Sequence, residues 1–438
     1  MKKIKLYKPF YLAFIVVFAF TFNQAFGQID GRSISNSGSF YSQFGVGFPS
    51  ENNTARELSL GISGVSLDNS QSISLSNPAL WGKNSYTTTS SGFQLSQHQS
   101  VDNTSESINS NLQAGYLQLT LPIIRERFGV SASLYPATRS NYRYFSTSSM
   151  ITSENETIEY AYDITGKGGI NKFEVGFGWN INKNIAIGYA PSLAFITQEN
   201  SQELFFNQQD LDYNYTNSKI SGSAFSHRFG ALLTFRNLLK TRDKLSIGSS
   251  FNLPLDISTK EQIVSAREVN GQTRDVILDE NIGGNARLPL EVNAGLSYYP
   301  SYVVNFSIEG KLQQWSEAQS NISTNNQSFE LSDRAKLGLG GEYHPYRTNS
   351  TSFFSNFRYS GGISYDSGHL KSQNHDINTL WFSAGLGIIS PFSNSSIGLS
   401  AQYGLRGTTS DNLIKEKIWA FNLSVNLTEF MFRRPKLN

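Results

Sequence analysis

A two-residue hydrophobic repeat, carried by segment after segment of this chain, limits its fold more than any other feature. In KIWAFNLSVNLTEFMF (417–432), Trp419, Phe421, Leu423, Val425 and Leu427 alternate with Ala420, Asn422, Ser424, Asn426 and Thr428. Successive side chains of a strand leave opposite faces, so one face is large and apolar and the other small and polar. KFEVGFGWNI repeats the pattern, with Phe173, Val175, Phe177, Trp179 and Ile181 set against Lys172, Glu174, Gly176, Gly178 and Asn180. KLSIGSSFNLPLDI, LEVNAGLSYY, AKLGLGGEY, LWFSAGLGII and SIGLSAQYG follow it. Strands of about ten residues with this dyad, broken by Asn/Gly/Ser turns, are the signature of a transmembrane barrel. A soluble sandwich or propeller would show shorter strands and a repeat of about 40 residues, and the chain has none. The negative mean hydropathy fits a barrel, because only one face of each strand meets lipid.

The first residues set the compartment. MKKIKLYKPF carries Lys2, Lys3, Lys5 and Lys8, an apolar run covers 11–22, and Ala25 and Gly27 stand in small-x-small spacing. These parts predict a secretory signal peptide over 1–27, with a core shorter than the roughly 20 apolar residues of a membrane-spanning helix. The chain has no cysteine, which excludes both a lipidated cysteine and a disulfide framework. Cleavage after Gly27 lowers the 36 basic side chains to 32 against 34 acidic ones, a net charge of −2. Nucleic-acid binders concentrate basic charge, so no nucleic-acid partner is expected. The expected destination is the outer membrane of a Gram-negative bacterium, with its lipid as the first partner.

Fourteen segments between residues 112 and 432 qualify as strands, and a weaker one covers 86–97. Single-chain barrels have an even strand number, which gives 14, with 16 as the alternative. The expected fold is therefore all-β: an antiparallel transmembrane barrel of about 14 strands over 85–432, followed by a short basic tail, 433–438. Polar insertions such as 197–219 and 259–285 read as long outer loops. Trp419, Phe430 and Phe432 suit the aromatic girdles at the membrane interfaces. An aromatic-rich last strand also resembles the signal read by the barrel assembly machinery, a second expected partner.

Residues 28–84 do not read as paired strands. Their stretch LGISGVSLDNSQSISLSNPALW resembles the N-terminal hatch of the long-chain fatty acid transporter (FadL-type) family and its PorV-like relatives. There, an acidic residue and an Asn-Pro-Ala motif follow a Gly-rich stretch; Asp68, Asn77, Pro78 and Ala79 stand in those places. Leu80-Trp81 replaces the usual glycine. GVSASLYPATRSNYRY, LPLEVNAGLSYYPSYVVNFSIEGKLQQW and YGLRGTTSDNLIKEKIWAFNLSV extend the resemblance over most of the mature chain. It implies a hatch at 28–84 inside the lumen, which a barrel of this size needs because its own side chains cannot fill it. Pro78 fixes its own backbone and pushes Asn77 towards an extended shape. The plain alternative is a turn ahead of the first strand.

In the third strand, Phe128–Tyr135 meets Pro136, which cannot donate to the ladder. Either the strand ends at Tyr135, or Tyr135 and Pro136 mark a break of the kind that opens the family's barrel wall sideways. The resemblance implies a non-enzymatic channel, without cofactor or metal, for passive uptake of hydrophobic small molecules such as fatty acids or aromatic hydrocarbons. Its alternative is an accessory barrel that binds type IX secretion partners. An apolar lumen favours the channel; a sealed lumen favours the partner role. Among the histidines, His369 and His375 share a loop without a carboxylate or cysteine cluster and read as solvated. His227 shares a face with Phe225 and Phe229 and reads as part of an interface girdle. The glycines of GKGG and GLGGEY lack the strand-loop-helix context of phosphate loops and read as close-packed strand positions.

Overall fold

The computed structural model describes residues 37–68, 73–151, 155, 157–206, 213–269, 272–318, 329–345, 353–372, 375–390 and 395–429. The expected signal peptide (1–27), Phe430, Phe432 and the expected basic tail (433–438) lie outside them. Fourteen antiparallel strands alternate along the chain. They are β1 (Thr87–Val101), β2 (Glu106–Ile124), β3 (Phe128–Pro136, resumed at Thr138–Ile151), β4 (Thr157–Asn180) and β5 (Ile185–Phe206). Next come β6 (Tyr213–Arg236), β7 (Lys244–Asn252, resumed at Leu255–Val269), β8 (Gln272–Leu288, resumed at Glu291–Ser301) and β9 (Val304–Gln313). The last are β10 (Arg334–Tyr343), β11 (Phe357–Asp366), β12 (Thr379–Ile389), β13 (Ser396–Arg406) and β14 (Lys415–Glu429). Pairing of β14 with β1, from Thr87↔Glu429 to Val101↔Lys415, closes the barrel.

The total agrees with the expected 14, but the strands are not all where the sequence placed them. The weaker segment near 86–97 is β1, whose outer row has few large apolar residues besides Phe93 and Leu95, so its alternation is faint. From β2, which holds Leu112, onward the described barrel strands number 13. The stretches 197–219 and 259–285, expected as loops, belong largely to β5, β6, β7 and β8. Strands of 22 to 24 residues overrun the 9–11 or so that cross a bilayer, so their outer ends need no apolar face. On β14 the two faces are as expected. Trp419, Phe421 and Leu427 are about half exposed, whereas Ala420, Asn422, Ser424 and Thr428 are buried.

Ahead of β1, the described residues 37–68 and 73–85 lie inside the barrel, and nearly all of them are buried or half-buried. Among these described residues the chain forms one short α-helix, α1 (Ala55–Ser59), held by a capping box between Thr54 and Glu57, and two 3-10 turns, Phe40–Gln43 and Pro78–Lys83. The β2–β3, β4–β5 and β6–β7 turns share a rim with the start of β1 and the end of β14, the periplasmic side, and the β9–β10 connection lies at the opposite, outer side. The outer mouth is covered by an apolar cluster in which Tyr41 and Phe44 meet Leu370, Ile377 and Leu413.

Candidate functional site

Two backbone features carry the site: the break in β3 and the seat of the inner segment. Past Pro136 the strand continues, so the break is an interruption and not an end. On the β4 side, Pro136 faces Asn171 and pairing resumes with Ser140↔Gly168. Three residues of β3 thus oppose two of β4, and β4 bends there at Gly168 (φ 108°) and Gly169 (φ 126°), a region closed to residues with a Cβ. These are the GKGG glycines. On the other side, β2 pairs with β3 only from Leu117↔Leu134 to Ile124↔Phe128. Above that, among the described residues, no strand pairing joins 106–116 of β2 to 140–151 of β3: the wall has a lateral gap.

The inner segment stitches the lower edge of that gap. Phe48 and Pro49 pair with Arg139 and Thr138 as a two-residue strand. Thr138 Oγ1 donates to the Val46 carbonyl (2.6 Å), and the Ser50 amide donates to the Ala137 carbonyl (2.9 Å). The Arg139 guanidinium reaches across to Gln113 Oε1 (2.7 Å) and to the Ala114 carbonyl. Behind the gap lies a cavity of about 160 Å³ whose walls include Ser42, Gln94, Asn111, Gln113, Tyr116 and Asn141. Phe48, Leu58, Phe93, Trp381, Ile418 and Leu423 also line it, so polar and apolar side chains share the lining.

Residues 77–82 sit on a shelf of glycines. Gly129, Gly178, Gly188 and Gly230 are register partners across β3, β4, β5 and β6. A Cβ at any of them would overlap the segment: Trp81 O at Gly129, Pro78 O and Gly82 N at Gly178, Pro78 C and Ala79 N at Gly188, and Asn77 Oδ1 at Gly230. The backbone therefore lies directly on the wall. Asn77 fixes it there. Its Oδ1 accepts from the Ala79 amide (3.0 Å), and its Nδ2 donates to the carbonyls of Val65 (2.8 Å) and Ala231 (3.0 Å). Ala79 and Leu80 are fully packed against Ala186 and Leu232.

Charge holds the rest. Asp68 Oδ2 accepts from Lys83 Nζ (2.9 Å) and Thr234 Oγ1 (2.9 Å), with Lys244 Nζ at 3.8 Å. Burial pushes this carboxyl up, but the two ammonium groups more than reverse that and hold it below the usual range. Arg56 pairs with Glu342 (2.7 Å), and Glu51 accepts from Lys311 (3.0 Å) and Arg334 (2.6 Å). Glu309 receives the amides of Gly64 (2.6 Å), Val65 (3.2 Å) and Ser66 (2.9 Å). Glu57 differs: Oε2 accepts from the Thr54 amide (2.7 Å), Oε1 has no partner, and burial is the main cause that lifts its carboxyl to about 8. A second cavity, about 70 Å³, is walled by Tyr135, Lys172, Arg228, Glu291 and Lys311.

The structure thus brings the two sets of expected site residues to one side of the barrel without contact between them. Tyr135 points inward, donating to Glu174 Oε2 (3.0 Å) and accepting from Arg228 Nη2 (2.5 Å); Arg228 in turn donates to the Leu75 carbonyl, two residues before Asn77. Asp68, Asn77, Pro78 and Ala79 lie towards the periplasmic rim. His369 is a correction: it is buried between the rings of Phe48 and Trp315, not solvated, because the loop folds over the mouth. His375 pairs with Asp411 (2.7 Å) at the surface. His227 faces outward beside Phe225 and Phe229 and bonds the Tyr189 hydroxyl (2.9 Å). Glu51, Arg56, Glu309 and Glu342 were missed by the sequence reading, although Glu309 and Lys311 occupy the inward parity of SIEGKLQ and so signal a charged lumen.

A model of the BamG family matches residues 8–438. Several solved structures share the fold. A Pseudomonas aeruginosa FadL homologue is 12% identical, with a TM-score of 0.59 over 87% of this chain and 99% of that one. The Ralstonia pickettii toluene transporter TbuX is 12% identical, with a TM-score of 0.57 over 87% and 99%. The monoaromatic hydrocarbon channel CymD is 13% identical, with a TM-score of 0.53 over 89% and 99%. No curated protein matches.

Proposed function

The chain belongs to the BamG family, and from that membership and its occupied lumen we propose that it is a non-enzymatic outer-membrane barrel serving the barrel assembly machinery as an accessory subunit. The family name shares that machinery's prefix. The observation that carries the reading is the way the lumen is filled: the segment within the barrel is seated backbone-on-glycine and ringed by buried ion pairs, and the space left behind the gap is a cavity of only about 160 Å³. An apolar solute could pass the segment only by parting those pairs and leaving their charges without water or partner. In this reading residues 28–84 are a fixed hatch, with Asp68, Asn77, Pro78 and Ala79 as its anchors, and the outer wall is the working surface.

A second reading rests on the gap itself. In this second reading, the break at Tyr135 and Pro136 is what parts β2 from β3, two strands whose outer faces carry Ile108, Leu112, Phe145 and Met150, all exposed. The hydrocarbon channels that share the fold support passive uptake of an apolar small molecule through it, gated by the hatch. Extraction of the tagged chain from native outer membranes in mild detergent, with mass spectrometry of bound proteins and lipids, separates the two. Recovery of assembly-machinery subunits at near-equal amounts is the expected result. Recovery of type IX secretion components would move the chain to that route, and bound apolar molecules without any protein partner would favour the channel.

A further inference from the structure

Among the described residues, the exposed basic side chains of the periplasmic turns are gathered on one side of the barrel. Its β2–β3, β4–β5 and β6–β7 turns expose Arg125, Arg127, Lys183, Arg236, Lys240 and Arg242. Among the described residues, the β8–β9, β10–β11 and β12–β13 connections expose no lysine or arginine. The three basic turns form one continuous arc. Asn180 Nδ2 donates to the Glu126 carbonyl (2.6 Å), the Thr234 amide to the Asn184 carbonyl (2.7 Å), and Arg236 Nη1 to the Lys183 carbonyl (3.3 Å). Within the arc the only acidic side chains are already engaged: Glu126 accepts from Ser85 Oγ (2.7 Å), and Asp243 accepts the amides of Leu238 (2.7 Å), Leu239 (2.9 Å) and Lys240 (3.0 Å).

That last set of bonds makes the β6–β7 turn rigid and presents two leucines on it, Leu238 at 54% and Leu239 at 73% exposure. Directly above the arc the outward wall is apolar down to its last residues, with Ile123, Ile124, Trp179, Ile181 and Phe235 all exposed. The cations therefore stand at the level of the inner-leaflet headgroups, and the leucines are placed to enter the interface. We propose that this arc is a binding site for anionic phospholipid headgroups, which fixes the barrel's orientation on the side of the lateral gap. The charge supplies the attraction and the leucine pair the depth.

The test uses the full chain in nanodiscs or detergent, offered phosphatidylglycerol or phosphatidylcholine, with retained lipid counted by native mass spectrometry. Wild type should hold phosphatidylglycerol in preference to phosphatidylcholine. A variant with Lys183→Gln, Lys240→Gln and Arg242→Asn (asparagine tolerates the φ of 74° at that position) should retain it about a hundredfold more weakly, about fivefold for each cation removed. Its heat-modifiable migration, the sign of an intact barrel, should not change. Equal retention of the two lipids by wild type, or unchanged retention by the variant, would overturn the proposal. So would a photo-crosslinker at position 239 that labels protein and no lipid in native membranes.

Discussion

Replacing Gly188 with alanine tests whether the inner segment is fixed to the wall. The added methyl would overlap Pro78 C and Ala79 N, which are backbone atoms and cannot swing aside as a side chain would. Release of the segment would expose Leu80 and Trp81, now 2% and 1% exposed, so the chain should instead shift and lose fit. Overpacking of this kind costs about 1–3 kcal/mol. The register Gly178↔Gly188↔Gly230 does not depend on the missing Cβ, so the loss should stay local. Hydrogen exchange reads it at the amides of Ala79 and Leu80, which are bonded to Asn77 Oδ1 (3.0 Å) and Asn77 O (3.2 Å). Their exchange should rise about 5- to 150-fold, the equivalent of that energy, while the barrel amides keep their protection. Gly283→Ala is the control, because a Cβ there meets nothing within 4 Å. Unchanged exchange over 74–83 in the Gly188 variant would refute the shelf.

Asn77→Ala removes the acceptor of the Ala79 amide and leaves the carbonyls of Val65 and Ala231 without their donor, so the same amides should lose about 1–3 kcal/mol of protection while the barrel assembles. Val425→Arg, on the lipid face of β14, should cost about 2–4 kcal/mol and show as unfolded protein on unheated gels. Glu57 binds its proton more tightly in the folded chain than in the unfolded one. Its contribution should therefore be present below its ordinary value of 4.5 and lost as pH rises through about 8; Glu57→Gln should flatten that fall in a titration of thermal stability.

The barrel was legible because lipid imposes a strict period on every spanning segment, as in the 419–427 row of β14. Legibility ended where lipid does. The outer halves of β7 and β8 carry no apolar row, and their pairing from Leu255↔Leu288 to Val269↔Gln272 leaves no mark in the residue pattern. At the site, Asn77 and Pro78 drew notice as a turn, but their seat could not be seen, because four glycines far apart in sequence meet only through strand register. Pro136 flagged a break; whether the strand resumed depended on Gly168 and Gly169 in the neighbouring strand. The charged lumen was half visible. Glu309 and Lys311 have inward parity, yet their partners, the 64–66 amides and Glu51, lie in a segment without any period.

The proposed role is tested most directly by depleting the chain in its own cell and following newly made, unrelated outer-membrane barrels by heat-modifiable migration, with uptake of a fluorescent fatty acid measured in parallel. The expected result is accumulation of unfolded barrels with apolar uptake unchanged until assembly fails. Normal folding of those barrels together with an immediate loss of uptake would contradict the accessory role and leave the channel reading in its place.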